Sequence, residues 1–138
     1  MFVLDTSVAL AWCLPDEQNV YADDVLEEVF KTQAVVPILW NWEVVNGLYM
    51  AIKRGRIQEQ DLFHFELLLS RLPIHIYPID VDRSFLLALC QREDLTAYDA
   101  VYLALAMEKG VPLATLDKKL QKSARNNGIA LFERKMVI

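Results

Sequence analysis

Residues 96–120 read TAYDAVYLALAMEKGVPLATLDKKL. Thr96 is a strong N-cap residue and Gly110 a strong helix stop, and the run between them is apolar apart from Asp99 and the last turn, so a helix is expected over 96–110. PLATL (112–116) follows: apolar throughout, too short for a helix, and ending at Asp117, behind which DKKLQKSARNNG (117–128) reads as another helix. A strand exposed on one face alternates apolar and polar residues. A strand without alternation, fed by a helix, belongs to a parallel sheet covered on both faces.

The rest of the chain repeats that unit. FVL (2–4), AVVP (34–37) and IHIYPI (74–79) read as further strands, and IALF (129–132) is a candidate fifth. Helices are expected over TSVALAWCL (6–14), 16–33, 38–55, 58–72 and 80–93. In 16–33 the apolar stripe is read as Val20, Val25, Leu26, Val29 and Phe30. The helix over 38–55 is expected to be mostly buried. The expected class is α/β, a single domain over residues 1–138 built on a central parallel sheet of four or five strands.

With 138 residues of which 54% are hydrophobic, the chain can bury a full core without disulfides. Cys13 and Cys90 lie in apolar helical patterns and read as small core residues, as in a reducing compartment. Asp5 interrupts the first apolar run and no basic stretch precedes it, so no signal peptide is expected. No apolar run reaches the roughly 20 residues a membrane span needs. The expected location is the cytoplasm, with no membrane partner. A net charge of −5 disfavours a general nucleic-acid binder. Basic residues are nevertheless clustered: Lys53, Arg54 and Arg56; Lys118, Lys119, Lys122 and Arg125; and Arg134 with Lys135. Such patches can be solvated helix faces or can guide a phosphate backbone.

Four acids stand alone in apolar surroundings: Asp5 in MFVLDTSVALAW, Glu43 in PILWNWEVVNGLYMAI, Asp99 in LTAYDAVYLALAM and Asp117 in VPLATLDKKL. A carboxylate in such a place loses hydration, at a cost of several kcal/mol unless a partner compensates. Asp5 and Asp117 could serve as N-caps, and Asp99 sits three residues after Thr96 as in a capping box. Glu43 lies mid-helix, where a cap is impossible, and its other reading is a helix edge facing solvent, since Asn46 and Gly47 share its face. In a parallel sheet, ligands bind at the carboxyl ends of strands, which is where Asp5 and Asp117 fall. Carboxylates without neighbouring His or Cys suit a hard cation, Mg²⁺ or Mn²⁺, and with it metal-assisted attack of water on a phosphodiester. His64 and His75 read as structural or surface residues, and Trp12, Trp40 and Trp42 as core or interface. There is no Gly-rich phosphate loop.

VLDTS at the N-terminus, WNWEVVNGL, TAYDAVYLALA and ATLDKKL, in that order and spacing, resemble the PIN domain, and more closely the VapC-type ribonuclease toxins of toxin–antitoxin pairs. The resemblance covers essentially the whole chain. It implies a three-layer α/β/α fold and a Mg²⁺- or Mn²⁺-dependent endoribonuclease site. It places the metal-binding and catalytic acids at Asp5, Glu43, Asp99 and Asp117, with Thr6 and Thr115 as supporting hydroxyls. It further implies a homodimer, an RNA substrate and a cognate antitoxin. Where many relatives carry another acid or Asn after the fourth acid, this chain has Lys118, Lys119 and Leu120. One metal or two is therefore left open, and Lys118 and Lys119 become candidate RNA-binding residues. Two other readings compete. A phospho-acceptor signalling domain would share the size and fold class, but it needs an acidic pair where Asp5 stands alone. A non-catalytic PIN-like RNA- or protein-binding module would bind without cleaving.

Overall fold

A computed structural model describes residues 1–133 of the chain. Among the described residues, strands β1 (Phe2–Leu4), β2 (Ala34–Val36), β3 (Ile74–Ile76) and β4 (Leu113–Ala114) form one sheet in the order β3-β2-β1-β4, and all pairings are parallel. The helices are α1 (Thr6–Cys13), α2 (Val20–Lys31), α3 (Leu39–Lys53), α4 (Glu59–Arg71), α5 (Arg83–Glu93), α6 (Ala97–Lys109) and α7 (Lys118–Asn126). β1 and β2 are buried along their whole length, the condition that continuous apolar strands predict. From β1 to β3 the chain steps in one direction across the sheet, and from β3 it returns past β1 to β4. Right-handed crossovers therefore put α1–α4 on one face and α5–α6 on the other. The packing agrees: α1 contacts α2 and α3, while α6 contacts α5 and α7. The order reverses between β1 and β4, which makes that pair the switch point where a ligand crevice opens.

The candidate fifth strand is smaller than expected. Only Leu131 bridges Leu113, flanked by hydrogen bonds from Leu113 N to Ala130 O and from Phe132 N to Leu113 O, both 2.9 Å. β4 is itself two residues long and offers little ladder to extend, so among the described residues the sheet has four strands. The helix expected over 16–33 also divides. Pro15–Glu17 form a 3₁₀ turn, and Asn19, whose side chain accepts from Ala22 N, starts α2 afresh. Its buried face is Ala22, Val25 and Val29, and Val20 and Phe30 are exposed at 58% and 60%, outside the stripe they were assigned to. The later start removes Val20 from the turn that packs, and Phe30 lies about 100° around the helix from Val29. α3 is less buried than expected. Trp40, Val44, Leu48 and Ala51 pack inward while Trp42, Val45 and Tyr49 face out.

Packing of α1 against α3 matters for the site. Gly47 lies one turn beyond Glu43, and a Cβ there would stand 2.6 Å from Leu10 Cδ1. Leu10 in turn lies one turn beyond Thr6. The Leu10 side chain thus lies over Gly47, and one turn nearer the sheet Thr6 meets Glu43.

No helix among the described residues is long and apolar enough to cross a membrane. Arg134 and Lys135, read as a basic pair, lie outside the described residues.

Candidate active site

All four acids lie at the carboxyl edge of the sheet. Asp5 directly follows β1, and Asp117 follows β4 by two residues; Asp99 is in the first turn of α6, and Glu43 early in α3. Asp5, Asp99 and Asp117 stand at a helix N-terminus, where the aligned peptide dipoles favour negative charge, and Glu43 lies just beyond the first turn of α3.

Asp5 is 6% exposed. It occupies the N-cap position of α1 but makes no capping bond to the helix. Its Oδ2 instead accepts from the Ser7 and Thr115 hydroxyls, each at 2.7 Å. Thr115 is fully buried, and its Oγ1 accepts from Asp117 N–H at 3.0 Å, while Ser7 Oγ accepts from Leu116 N–H at 3.0 Å. The segment after β4 is thus fastened to the segment after β1 by two hydroxyls. Burial pushes the Asp5 carboxyl up to about 6; the bonds from Ser7 and Thr115 pull it down, and the charges of Asp99 and Glu43 push it up again.

Asp99 is also raised above the ordinary carboxylate range, first by burial and then by the charge of Asp117, with Thr96 and Lys119 opposing. Thr96 caps α6 by accepting from Asp99 N–H at 3.2 Å. Asp117 is a true N-cap: its Oδ1 accepts from Lys119 N and Leu120 N at 2.9 and 3.2 Å. Capping and membership of the site coexist here, because one oxygen serves the helix.

Glu43 is half-buried and bonded rather than turned to solvent. Its Oε1 accepts from Tyr102 OH at 2.5 Å and from Thr6 Oγ1 at 3.1 Å, and the two hydroxyl oxygens are 2.8 Å apart. Burial first, then the bond to Glu43, push the Tyr102 phenol far above its ordinary range. Sequence reading missed Tyr102. The available signal was a hydroxyl three residues after Asp99, on the same side of an otherwise apolar helix.

Mutual electrostatic influence links Asp5 to Asp99 and Glu43, and Asp99 to Asp117. The acids therefore form one cluster of like charge. Among the described residues no three His, Cys, Asp or Glu side chains stand close enough to enclose a metal ion by themselves. Mg²⁺ keeps several waters and takes one or two carboxylates directly, so it does not require such an enclosure. An all-oxygen donor set whose members repel one another until a cation arrives fits that ion. A depression of about 530 Å³ lined by Ser7, Leu10, Glu17, Asn19, Leu116 and Asp117 opens beside the cluster.

Of the basic residues, Lys118 and Lys119 are exposed at the start of α7, and Lys119 Nζ lies 3.0 Å from Asp94 Oδ2. Arg56 is engaged by Asp16 at 2.8 Å and Glu17 at 3.6 Å, and Lys53 lies over the Tyr49 ring. That second patch is partly neutralised and lies outside the acid cluster. His64 and His75 are exposed, Cys13 is buried and Cys90 half-buried, none of them in the cluster.

The chain belongs to the PIN domain family, whose model matches residues 2–126. It is similar to Ribonuclease VapC3 of Pyrobaculum aerophilum, with 30% identity over 125 residues covering 86% of this chain and 90% of that one. Its fold is shared with two solved structures. PAE2754 from Pyrobaculum aerophilum aligns with a TM-score of 0.68 at 22% identity, covering 88% of this chain and 84% of that one. FitAcB from Neisseria gonorrhoeae aligns with a TM-score of 0.67 at 16% identity, covering 96% of this chain and 97% of that one.

Proposed function

We propose that this PIN-domain chain is a metal-dependent endoribonuclease of the VapC type, the toxin of a toxin–antitoxin pair, acting in the cytoplasm. The observation that carries the proposal is the convergence of Asp5, Glu43, Asp99 and Asp117, from four separate segments, on the switch point of the sheet. The relative named as a ribonuclease supports the choice of RNA.

Asp5, Glu43 and Asp99 would hold a Mg²⁺ or Mn²⁺ ion, one or two of them directly and the rest through its waters, and Asp117 would orient a water or share a second ion. Bound there, the ion supplies a Lewis acid for the scissile phosphate and a water of lowered pKa as nucleophile. The protein groups supply position. Ser7 and Thr115 fix Asp5 through one oxygen, and Thr115 also ties Asp117 to it through the backbone. Lys118, at the start of α7, would take a flanking phosphate, while Asp94 holds Lys119 beside Asp99. Trp42 at 69% and Phe63 at 70% exposure, with Val45 and Tyr49, give α3 and α4 an outward apolar surface. Monomeric soluble proteins seldom expose such a patch without a partner. The antitoxin and a second copy of the chain are the partners proposed for it.

The test is cleavage of cellular RNA by antitoxin-free protein with Mg²⁺ or Mn²⁺, against EDTA and Asp5→Asn controls. Discrete products that disappear in both controls support the proposal. RNA binding without cleavage would replace it with the binding-module reading.

A further inference from the structure

We infer that Tyr102 is a positioning residue for Glu43: its buried hydroxyl, with that of Thr6, fixes one carboxylate oxygen and leaves the other for the ion. The inference rests on the metal-site reading above and goes beyond its four acids.

Glu43 faces a problem the other acids do not. Asp5 and Asp117 leave short strand-to-helix segments, and Asp99 has one side-chain torsion fewer. Glu43 reaches the site from the side of α3, and a flexible glutamate there would sample several rotamers. Two hydroxyls from two other helices remove that freedom. Thr6 comes from the first turn of α1 and Tyr102 from α6, and both meet Oε1. The phenol is fully buried, so its hydroxyl has no competing water. Hydrogen counting sets the direction. An ionised carboxylate only accepts, and the two hydroxyls carry one hydrogen each. Tyr102 donates to Oε1, and Thr6 donates to Oε1 or to the phenol oxygen, so every hydrogen in the triangle runs toward Glu43.

Tyr102 also lies one turn from Asp99. α6 therefore carries one acid of the cluster and the clamp for another, so that Asp99 and Glu43 are placed by a single rigid element. A tyrosine that merely filled the core would keep its ring in place and need only some acceptor for its hydroxyl. Phenylalanine would serve that role, and metal affinity separates the two roles. Groups that orient a metal ligand typically contribute 10–100-fold to affinity.

The experiment is Mn²⁺ titration of the RNA-free protein by calorimetry, in wild type, Tyr102→Phe, Glu43→Gln and the double variant, with folding checked by circular dichroism. Tyr102→Phe should weaken Mn²⁺ binding about tenfold. Added to Glu43→Gln it should weaken binding no further, because the ligand it positions is already gone. Thr6→Val should act in the same direction, again only with Glu43 present, and it decides the matter if Tyr102→Phe does not fold. Wild-type affinity in Tyr102→Phe, or equal losses in both backgrounds, would overturn the inference while leaving the metal site standing. A wild type that binds no Mn²⁺ would remove the metal reading and the inference together.

Discussion

Asp5 occupies the N-cap position of α1, yet its carboxylate accepts from Ser7 and Thr115 rather than from the amides of the helix. A buried carboxylate whose pKa is raised from 3.8 to about 6 opposes folding once it is ionised. Stability from this group is therefore fully present below about pH 4 and is lost as pH rises through about 6, by about 3 kcal/mol in total. Other groups titrate over the same range, so the difference between proteins isolates the effect. In EDTA, melts of wild type and Asp5→Asn should coincide near pH 4, and the variant should be the more stable at pH 8. The amide oxygen can still accept from both hydroxyls. The same variant should cleave RNA at least about a hundredfold more slowly, since metal-assisted stabilisation is worth several kcal/mol. Gain of stability with loss of activity marks a residue kept for chemistry. Equal melts at pH 8 would refute the burial argument.

At the scale of elements, Thr6 of α1 meets Glu43 of α3, so the contact between these two helices bears on where Glu43 sits. Gly47→Val would drive a side chain into Leu10, whose Cδ1 lies 2.6 Å from the first added carbon. Overpacking costs about 1–3 kcal/mol, and because Leu10 presents the end of a flexible side chain the loss should fall at the low end, with any strain passed on to α1 reaching the Thr6–Glu43 bond one turn away. Both a lower melting temperature and a weaker Mn²⁺ response are expected; a drop in melting temperature alone would mean that Glu43 does not depend on that contact. α7 offers a second prediction. Its buried face is Leu120, Ser123 and Ala124, and Lys118 and Lys122, four residues apart, share the opposite face. If these two lysines meet phosphates, replacing both with Gln should lower the slope of log binding constant against log salt by about 1.4 for single-stranded RNA. Filter binding in an Asp5→Asn background measures it, and an unchanged slope would reduce α7 to a solvated face.

For the whole molecule, the outward-facing apolar side chains of α3 and α4 are the surface on which the proposed assembly is tested. Light scattering should return about twice the 15.9 kDa chain mass for antitoxin-free protein. Trp42→Ala should weaken the antitoxin complex about thirtyfold, the roughly 2 kcal/mol of an exposed aromatic anchor, and leave RNA cleavage in place. An unaltered complex would move the docking face elsewhere.

Much of this was local and therefore legible in the chain itself. Short apolar strands, capped helices and one acid per segment specified a parallel α/β domain and named Asp5, Glu43, Asp99 and Asp117 before any contact was known, because hydropathy period, caps and isolated charges are properties of neighbours in sequence. Boundaries failed where local signals competed: Asn19 capped a helix inside a run that read as continuous, and residues 129–132 had the composition of a strand beside one so short that only a single bridge forms. Only the tertiary structure decided which oxygen each acid presents, that Asp5 does not cap, and that Tyr102 reaches Glu43 across 59 residues. These depend on distances between segments far apart in sequence. A helix pattern reports which face is apolar, but not which hydroxyl on that face meets a carboxylate from another helix.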